Sequence, residues 1–206
     1  MPLGDRGLLV RFGQTLTDEA NLASIRFAER AEARAIPGVL EIVPNLISVL
    51  LRYDAAAIDY EHLAGEVRLL MSRPGEPPRS SREQVVEVVF DGEDLAEVAE
   101  AVTLTRDSFV AAHNASPLRV LATGFAPGFV YCGMHEPVLF IQRRQTVRRQ
   151  VPPGTVLFAA GQTAITSTAI PTGWHVIGRT DFRNFSPASD PPVALRAGDY
   201  IRFVSI

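Results

Sequence analysis

The 206-residue chain has no lysine; all twenty of its cations are arginine. This removes Schiff-base chemistry and the lysine of a phosphate-binding P-loop, because a guanidinium stays protonated and fills neither role. Cysteine is almost missing too. Cys132 stands alone, which excludes an internal disulfide framework and a clustered-thiolate metal site, and leaves a buried thiol as the expectation, with a nucleophile as the alternative. The four histidines show neither His-x-x-x-His nor carboxylate spacing, so no bound metal is expected. No Gly-x-Ser-x-Gly elbow, dinucleotide fingerprint or P-loop occurs, which removes the usual hydrolase, Rossmann and ATPase routes. No run approaches the roughly 18 apolar residues of a membrane span, and Met1-Pro2-Leu3-Gly4-Asp5 lacks the regions of a signal peptide. A cytoplasmic protein with no membrane partner is expected. The net charge of −3 and pI near 5.8 provide no basic field for nucleic acid.

With 47% hydrophobic and 21% charged residues, the chain has ample material for a core. Asp5 to Phe12 is a short apolar run between glycines and predicts a strand. Thr17 then caps an amphipathic helix from Asp18 to Ala35, which Pro37-Gly38 ends. Val39 to Val43 and Leu46 to Tyr53 flank the turn signal Pro44-Asn45 and suit an antiparallel hairpin. Ile58 to Met71 returns to helical spacing. The order β-α-β-β-α resembles most of a ferredoxin-like split unit, with its last strand missing or borrowed. The segment from 73 to 82, with three prolines, a glycine and two serines, reads as an exposed linker. It sets a domain boundary, 1–80 and 81–206. Beyond it come a strand at Val85 to Phe90 and short helices at Leu95 to Val102 and Ser108 to Ala115. Short β-compatible runs follow at Leu118 to Thr123, Thr155 to Ala160, Thr163 to Thr168, Trp174 to Thr180, Val193 to Leu195 and Tyr200 to Ile206. So many short strands predict a compact barrel or sandwich, and an α+β chain as a whole.

Three segments carry candidate chemistry. GFAPGFVYCG, from Gly124 to Gly133, places three glycines and three aromatics in ten residues. Glycine lets backbone amides approach a ligand, Pro127 stiffens the turn, and Phe125, Phe129 and Tyr131 can wall a pocket. A tight turn over core aromatics fits the same letters. QRRQTVRRQVPPG, from Gln142 to Gly154, concentrates four arginines whose planar forks suit carboxylates, although a solvated charged loop has that composition too. His113 follows a helical stretch and offers an acid or base near neutral pH, or a favourable charge at a helix C-terminus. Trp174 reads as packing.

GFAPGFVYCG, VPPGTV, the AGQT of Ala160 to Thr163, GWHVIGRT and the closing LRAGDYIRFVSI together resemble the family of the 5-oxoprolinase B subunit. That family includes allophanate hydrolase subunit 1, the first half of the urea carboxylase carboxyltransferase domain, and a sporulation histidine-kinase inhibitor of KipI type. The N-terminal GDRGLLVRFG matches as well, so the resemblance runs nearly end to end. It implies a ferredoxin-like α+β lobe followed by a cyclophilin-like β-barrel. It also implies pairing with a homologous carboxyltransferase-type subunit, the 5-oxoprolinase C subunit or allophanate hydrolase subunit 2, in some cases with a third subunit. No cofactor is expected on this chain itself; ATP would be used through another subunit. The implied site comprises Arg143 and Arg148 for anion contact, Gln162 and Thr163 for amide hydrogen bonding and His113 as proton shuttle. Gly124, Phe125, Pro127, Gly128, Phe129 and Tyr131 would shape its wall. The implied role is a non-autonomous subunit of an amide or lactam hydrolase or carboxyltransferase complex. The alternative is a non-catalytic regulator.

Overall fold

A computed structural model describes residues 1–72 and 80–206. Most of the linker read at 73–82 therefore lies outside the described residues. The chain divides into two compact units, Met1–Ser80 and Ser81–Ile206.

The first unit runs β1 (Gly7–Arg11), α1 (Asp18–Arg34), β2 (Val39–Pro44), β3 (Ser48–Tyr53), α2 (Tyr60–Ser72). Its sheet has the order β1-β3-β2 and is antiparallel throughout. The Thr17 hydroxyl accepts from the Ala20 amide at the start of α1, and Ala35 closes the helix in the left-handed region at φ 47°. Phe27, Ala28 and Ala31 of α1 join Leu63, Val67 and Leu70 of α2 over Leu8, Val49 and Leu51. α1 also buries two polar side chains. The Asn21 amide donates to the Leu46 carbonyl and the Ser24 hydroxyl meets the carbonyls of Asn45 and Ser48. These bonds keep Leu46 and Ile47 in the turn, so β3 starts two residues later than its apolar run. The outer edge of β1 is met by the N-terminus, where Met1 and Leu9 exchange hydrogen bonds.

The second unit is built on a curled seven-stranded sheet. Its strands are β4 (Glu83–Val88), β5 (Leu118–Thr123), β6 (Val130–Gly133), β8 (Thr155–Ala159), β9 (Gln162–Ile165), β11 (His175–Arg179) and β12 (Tyr200–Ser205). A separate pair joins β7 (Arg148–Val151) to β10 (Ile170–Thr172). The large sheet has the order β11-β8-β9-β6-β5-β12-β4, with β12 and β4 parallel and the other pairs antiparallel. A single bridge, Val89 to Arg179, links its two outermost strands. Helices α3 (Leu95–Ala101) and α4 (Arg106–His113) send Leu95, Val98 and Phe109 into the interior against Val120, Phe158, Ile165, Ile177 and Ile201. Each such fully buried side chain contributes roughly 1.5–3 kcal/mol by leaving water.

Two differences from the sequence reading bear on the site. The glycine-aromatic segment is half strand, because β6 begins at Val130 and pairs with both β5 and β9. Val193 to Leu195 forms no strand and makes only one bridge, Val193 to Phe185. There Asn184 takes over the backbone's bonding, its side chain meeting the amide and carbonyl of Leu195. No helix among the described residues is long and apolar enough to cross a membrane.

Candidate functional site

Strand alternation sorts the candidate residues onto two faces of the sheet. Along β6, Val130 and Cys132 turn to the interior while Tyr131 joins an outer cluster with Phe129, Leu157, Ala159, Ala164 and Trp174. Register places Tyr131 opposite Ala164 and Gln162 opposite Ala159. Gln162 therefore lies on the outer face over a floor of small residues, and a Cβ added at Gly133 would sit 3.4 Å from the Gln162 Cγ.

The aromatics form one row. Ring centroids lie 5.6 Å apart from Phe125 to Phe129, 4.7 Å from Phe129 to Tyr131 and 5.9 Å from Tyr131 to Trp174. The Arg143 guanidinium ends the row, its Cζ 5.4 Å from the Trp174 ring centre. Such a cation on an indole is held by the ring's quadrupole and leaves its N–H edge available. Among the described residues no carboxylate pairs with Arg143. Burial raises the Tyr131 phenol above its usual range, and the Arg143 charge opposes that shift. Gln162 is buried, and its Oε1 has no hydrogen-bond partner among the described residues. An acceptor in that position costs free energy until a donor meets it.

The loop before β6 is wound tightly. Gly124 donates to the Phe129 carbonyl and Phe129 to that of Ala126, with exposed Pro127 at the tip. Gly128 has φ 69°, and a Cβ there would lie 2.5 Å from the Phe185 Cβ and 2.6 Å from Ser167. Only glycine fits. Phe125 has φ 75° and is 73% exposed. A bulky residue in the left-handed region costs about 1–2 kcal/mol, and here that strain holds a phenyl ring toward solvent.

His113 and Thr163 stand on the opposite, interior face. His113 ends α4, fully buried, with Nδ1 2.7 Å from Asn114 Oδ1 and Nε2 2.7 Å from the Thr163 hydroxyl. His135 Nε2 reaches the same hydroxyl at 2.8 Å, and its ring lies 4.7 Å from that of His113. Burial pushes His113 down to about 4. Burial and the neighbouring His113 push His135 down to about 3. Both rings are therefore neutral at pH 7. Asn114 Oδ1 can only accept, so His113 carries its proton on Nδ1, Thr163 donates to His113 Nε2, and His135 donates to Thr163. The result is a directed chain His135 to Thr163 to His113 to Asn114. Phe90, Phe109, Phe158 and Phe203 surround His113. Cys132 is buried nearby in the core, where burial pushes its thiol up.

Arg148, expected as an anion contact, makes a bidentate pair with Asp94, Nη1 to Oδ2 at 2.6 Å and Nη2 to Oδ1 at 2.8 Å, and meets Glu93 at 2.8 Å. Asp94 also accepts from Arg144 Nη1 at 2.6 Å and from the Val176 amide at 2.7 Å. Burial alone would raise the Asp94 carboxyl, but these donors hold it below the usual carboxylate range. Arg148 is already neutralised, and it ties β7 to the start of α3.

The structure thus brings Phe125, Phe129, Tyr131, Arg143 and Gln162 to one face, with Gly124, Pro127 and Gly128 shaping the loop at its end. His113 and Thr163 lie behind that face and Arg148 lies in an ion pair. Sequence reasoning passed over Trp174, assigned to packing, and Asp94 and His135, to which it gave no role. The pairing of a lone tryptophan with an arginine-rich loop was the available signal for the first; nothing in the linear pattern marked the other two. Among the described residues no group of histidine, cysteine and carboxylate side chains could hold a metal ion.

Residues 1–195 match the carboxyltransferase domain, subdomains C and D. The chain belongs to that family. It is 30% identical to the 5-oxoprolinase B subunit of Bacillus subtilis over 99% of this chain and 91% of that protein. With the 5-oxoprolinase B subunit of Escherichia coli O157:H7 the identity is 35%, over 92% and 89%. Among solved structures, TTHA0988 superposes with a TM-score of 0.86 at 35% identity over 98% of this chain, which spans 40% of that longer chain. The Kluyveromyces lactis urea amidolyase shares the fold, with a TM-score of 0.76 at 15% identity, and this chain covers 14% of it.

Proposed function

We propose that this chain is a non-autonomous subunit of an amide or lactam hydrolase or carboxyltransferase complex, of the 5-oxoprolinase or allophanate-hydrolase type. On this reading residues 1–80 are a ferredoxin-like lobe and 81–206 a cyclophilin-like barrel. The barrel contributes one wall of an active site that a homologous carboxyltransferase-type subunit completes, in the cytoplasm, with ATP consumed through another subunit. The observation that carries the proposal is Arg143 lying on Trp174 at the end of the aromatic row, beside a buried Gln162 acceptor without a donor among the described residues.

That pairing suits a small, flat substrate bearing a carboxylate and an amide N–H. Arg143 forks the carboxylate, the enclosed Gln162 amide turns outward so that Oε1 accepts from the N–H, and Tyr131 and Trp174 exclude water from the carbonyl, which strengthens both contacts. His113 and Thr163 act from behind by fixing β9 beneath Gln162, and are positioning residues on this reading. The exposed Phe125, Phe140 and Val147 are apolar surface for the completing subunit.

The test is reconstitution with the partner barrel subunit, assaying 5-oxoproline and allophanate turnover. Arg143→Ala is expected to lower kcat/KM by about 10²-fold with no change in melting temperature, and Arg143→Lys to restore little because a point charge neither stacks nor forks. Full turnover by this chain alone, or an unaffected Arg143→Ala complex, overturns the reading. The competing reading, a regulator like the histidine-kinase inhibitor, rests on the same exposed apolar side chains. It is favoured if a histidine kinase binds and no barrel subunit does.

A further inference from the structure

We infer that the edge of β4 left unpaired among the described residues is a docking site for an extended, basic peptide strand of a partner protein. In the parallel pair of β4 with β12, the Tyr200 amide donates to Arg82 and the Ile206 amide to Val88. Parallel pairing uses alternate residues, so β4 spends its even-numbered backbone groups on β12. Those of Glu83, Val85, Glu87 and Val89 therefore point the other way, toward the seam where the sheet would close on β11. The seam closes from Val89 onward: Val89 exchanges both hydrogen bonds with Arg179, and the Gly92 and Asp94 amides donate to Ile177 and Val176. Below Val89 the two edges part.

A cleft of about 470 Å³ occupies that opening, walled by Val85, Glu87, Pro152, Thr180, Phe182 and Ile206 among others. Val85 is 52% exposed; its carbonyl accepts from the Gln84 side chain at 2.7 Å, which an incoming strand would displace, while its amide and the backbone groups of Glu83 and Glu87 have no partner on the seam side among the described residues. Backbone donors and acceptors in a row beside side-chain pockets are what an added strand requires.

Charge selects the occupant. Arg183 lines the cleft, yet its guanidinium is spent on the carbonyls of Thr180, Phe182 and Pro153. Arg179 is paired with Asp91 at 2.9 Å. Glu87 and Asp181 are exposed and have no partner among the described residues; neutral carbonyls leave the Arg183 charge in place, so two carboxylates stand against one guanidinium and the balance of the cleft is negative. A second copy of β4 pairing antiparallel about Val85 would set Glu83 against Glu87, a like-charge contact that disfavours self-association. An incoming strand with alternating aliphatic and cationic residues meets both features.

The probe is a capped six-residue peptide alternating valine and arginine, labelled for fluorescence anisotropy, with the full chain as receptor. Val85→Pro deletes one seam-facing N–H and leaves the β12 ladder intact, since that amide does not face β12. Saturable binding is expected, with slowed hydrogen exchange at the Glu83, Val85 and Glu87 amides. Affinity should fall about tenfold with Val85→Pro, which removes about one hydrogen bond, and further with a peptide N-methylated at its three alternate residues, which removes up to three. Glu87→Lys, a surface change that tests the charge without touching the backbone, should weaken it likewise. Undiminished affinity for the N-methylated peptide, exchange protection elsewhere, or no binding at all overturns the proposal. So does a dimer of the peptide-free chain that Val85→Pro dissolves, since a second copy would then hold the edge.

Discussion

Replacing Asp94 by alanine separates the architectural arginines of the second unit from the one assigned to ligand. Asp94 accepts four hydrogen bonds, from Arg144, twice from Arg148 and from the Val176 amide. Its side chain is only 5% exposed, and those of Arg144 and Arg148 are 22% and 20% exposed. Removing the shared carboxylate orphans one amide and leaves the two guanidiniums only the exposed carboxylates of Glu93, 2.8 Å from Arg148, and Glu97, 3.7 Å from Arg144. Loss of one partner from a buried ion pair costs about 3–5 kcal/mol, a large fraction of the roughly 5–15 kcal/mol that holds a domain folded. The assay is urea unfolding followed by fluorescence of Trp174, the single tryptophan, which reports on the second unit alone. Arg148→Met should cost less, about 1–2 kcal/mol, because Asp94 keeps Arg144 and the Val176 amide. The double variant should cost less than the sum of the singles, with a coupling of about 1–3 kcal/mol. A loss below about 1 kcal/mol for Asp94→Ala, or strict additivity, would refute the view that Arg148 is structural and would return it to the candidates for anion contact.

Three further outcomes are expected. Because His113 falls from 6.5 to about 4 on folding, the unfolded chain binds a proton that the native chain refuses between those values. Stability should be flat above pH 6.5 and decline below it by about 1.4 kcal/mol per pH unit for this group, a slope that His113→Phe reduces; Asp94, whose carboxyl is held low, adds its loss only at more acid pH. Gly128→Ala forces a Cβ into Phe185 and Ser167 at positive φ, and should lower stability by about 2–4 kcal/mol in thermal unfolding; an unchanged midpoint would contradict the close approach. Cys132 should react with a thiol reagent only at the rate of unfolding, since burial keeps it a thiol, and rapid modification of the native chain would show the core to be open.

The local elements were legible because their causes are local. Thr17 before an amphipathic run, Pro37-Gly38 after it, and Pro44-Asn45 between two apolar runs act within a few residues of their own positions. Leu118 to Thr123 is a strand over the same residues that its apolar run predicts. The family resemblance was legible for a related reason: glycines such as Gly128, forced by contact, leave fixed letters. Less visible were β6, hidden in a segment whose glycines and aromatics also spell a turn, and the brief β7 and β10, whose pairing depends on partners about twenty residues away.

What the sequence by itself determined was the chemistry available: an all-arginine cation set, a single thiol, and a glycine-aromatic loop beside a cationic one. What only the tertiary structure decided was which arginine is free. Arg143 and Arg148 sit five residues apart in the same basic segment, and composition treats them alike. Folding brings Asp94, more than fifty residues upstream, against Arg148 and leaves Arg143 on Trp174, because a desolvated guanidinium must find a carboxylate while one at the surface can rest on an aromatic face. The same holds for Gln162 and Thr163, neighbours in the chain that the two-residue period of a strand sends to opposite faces of the sheet.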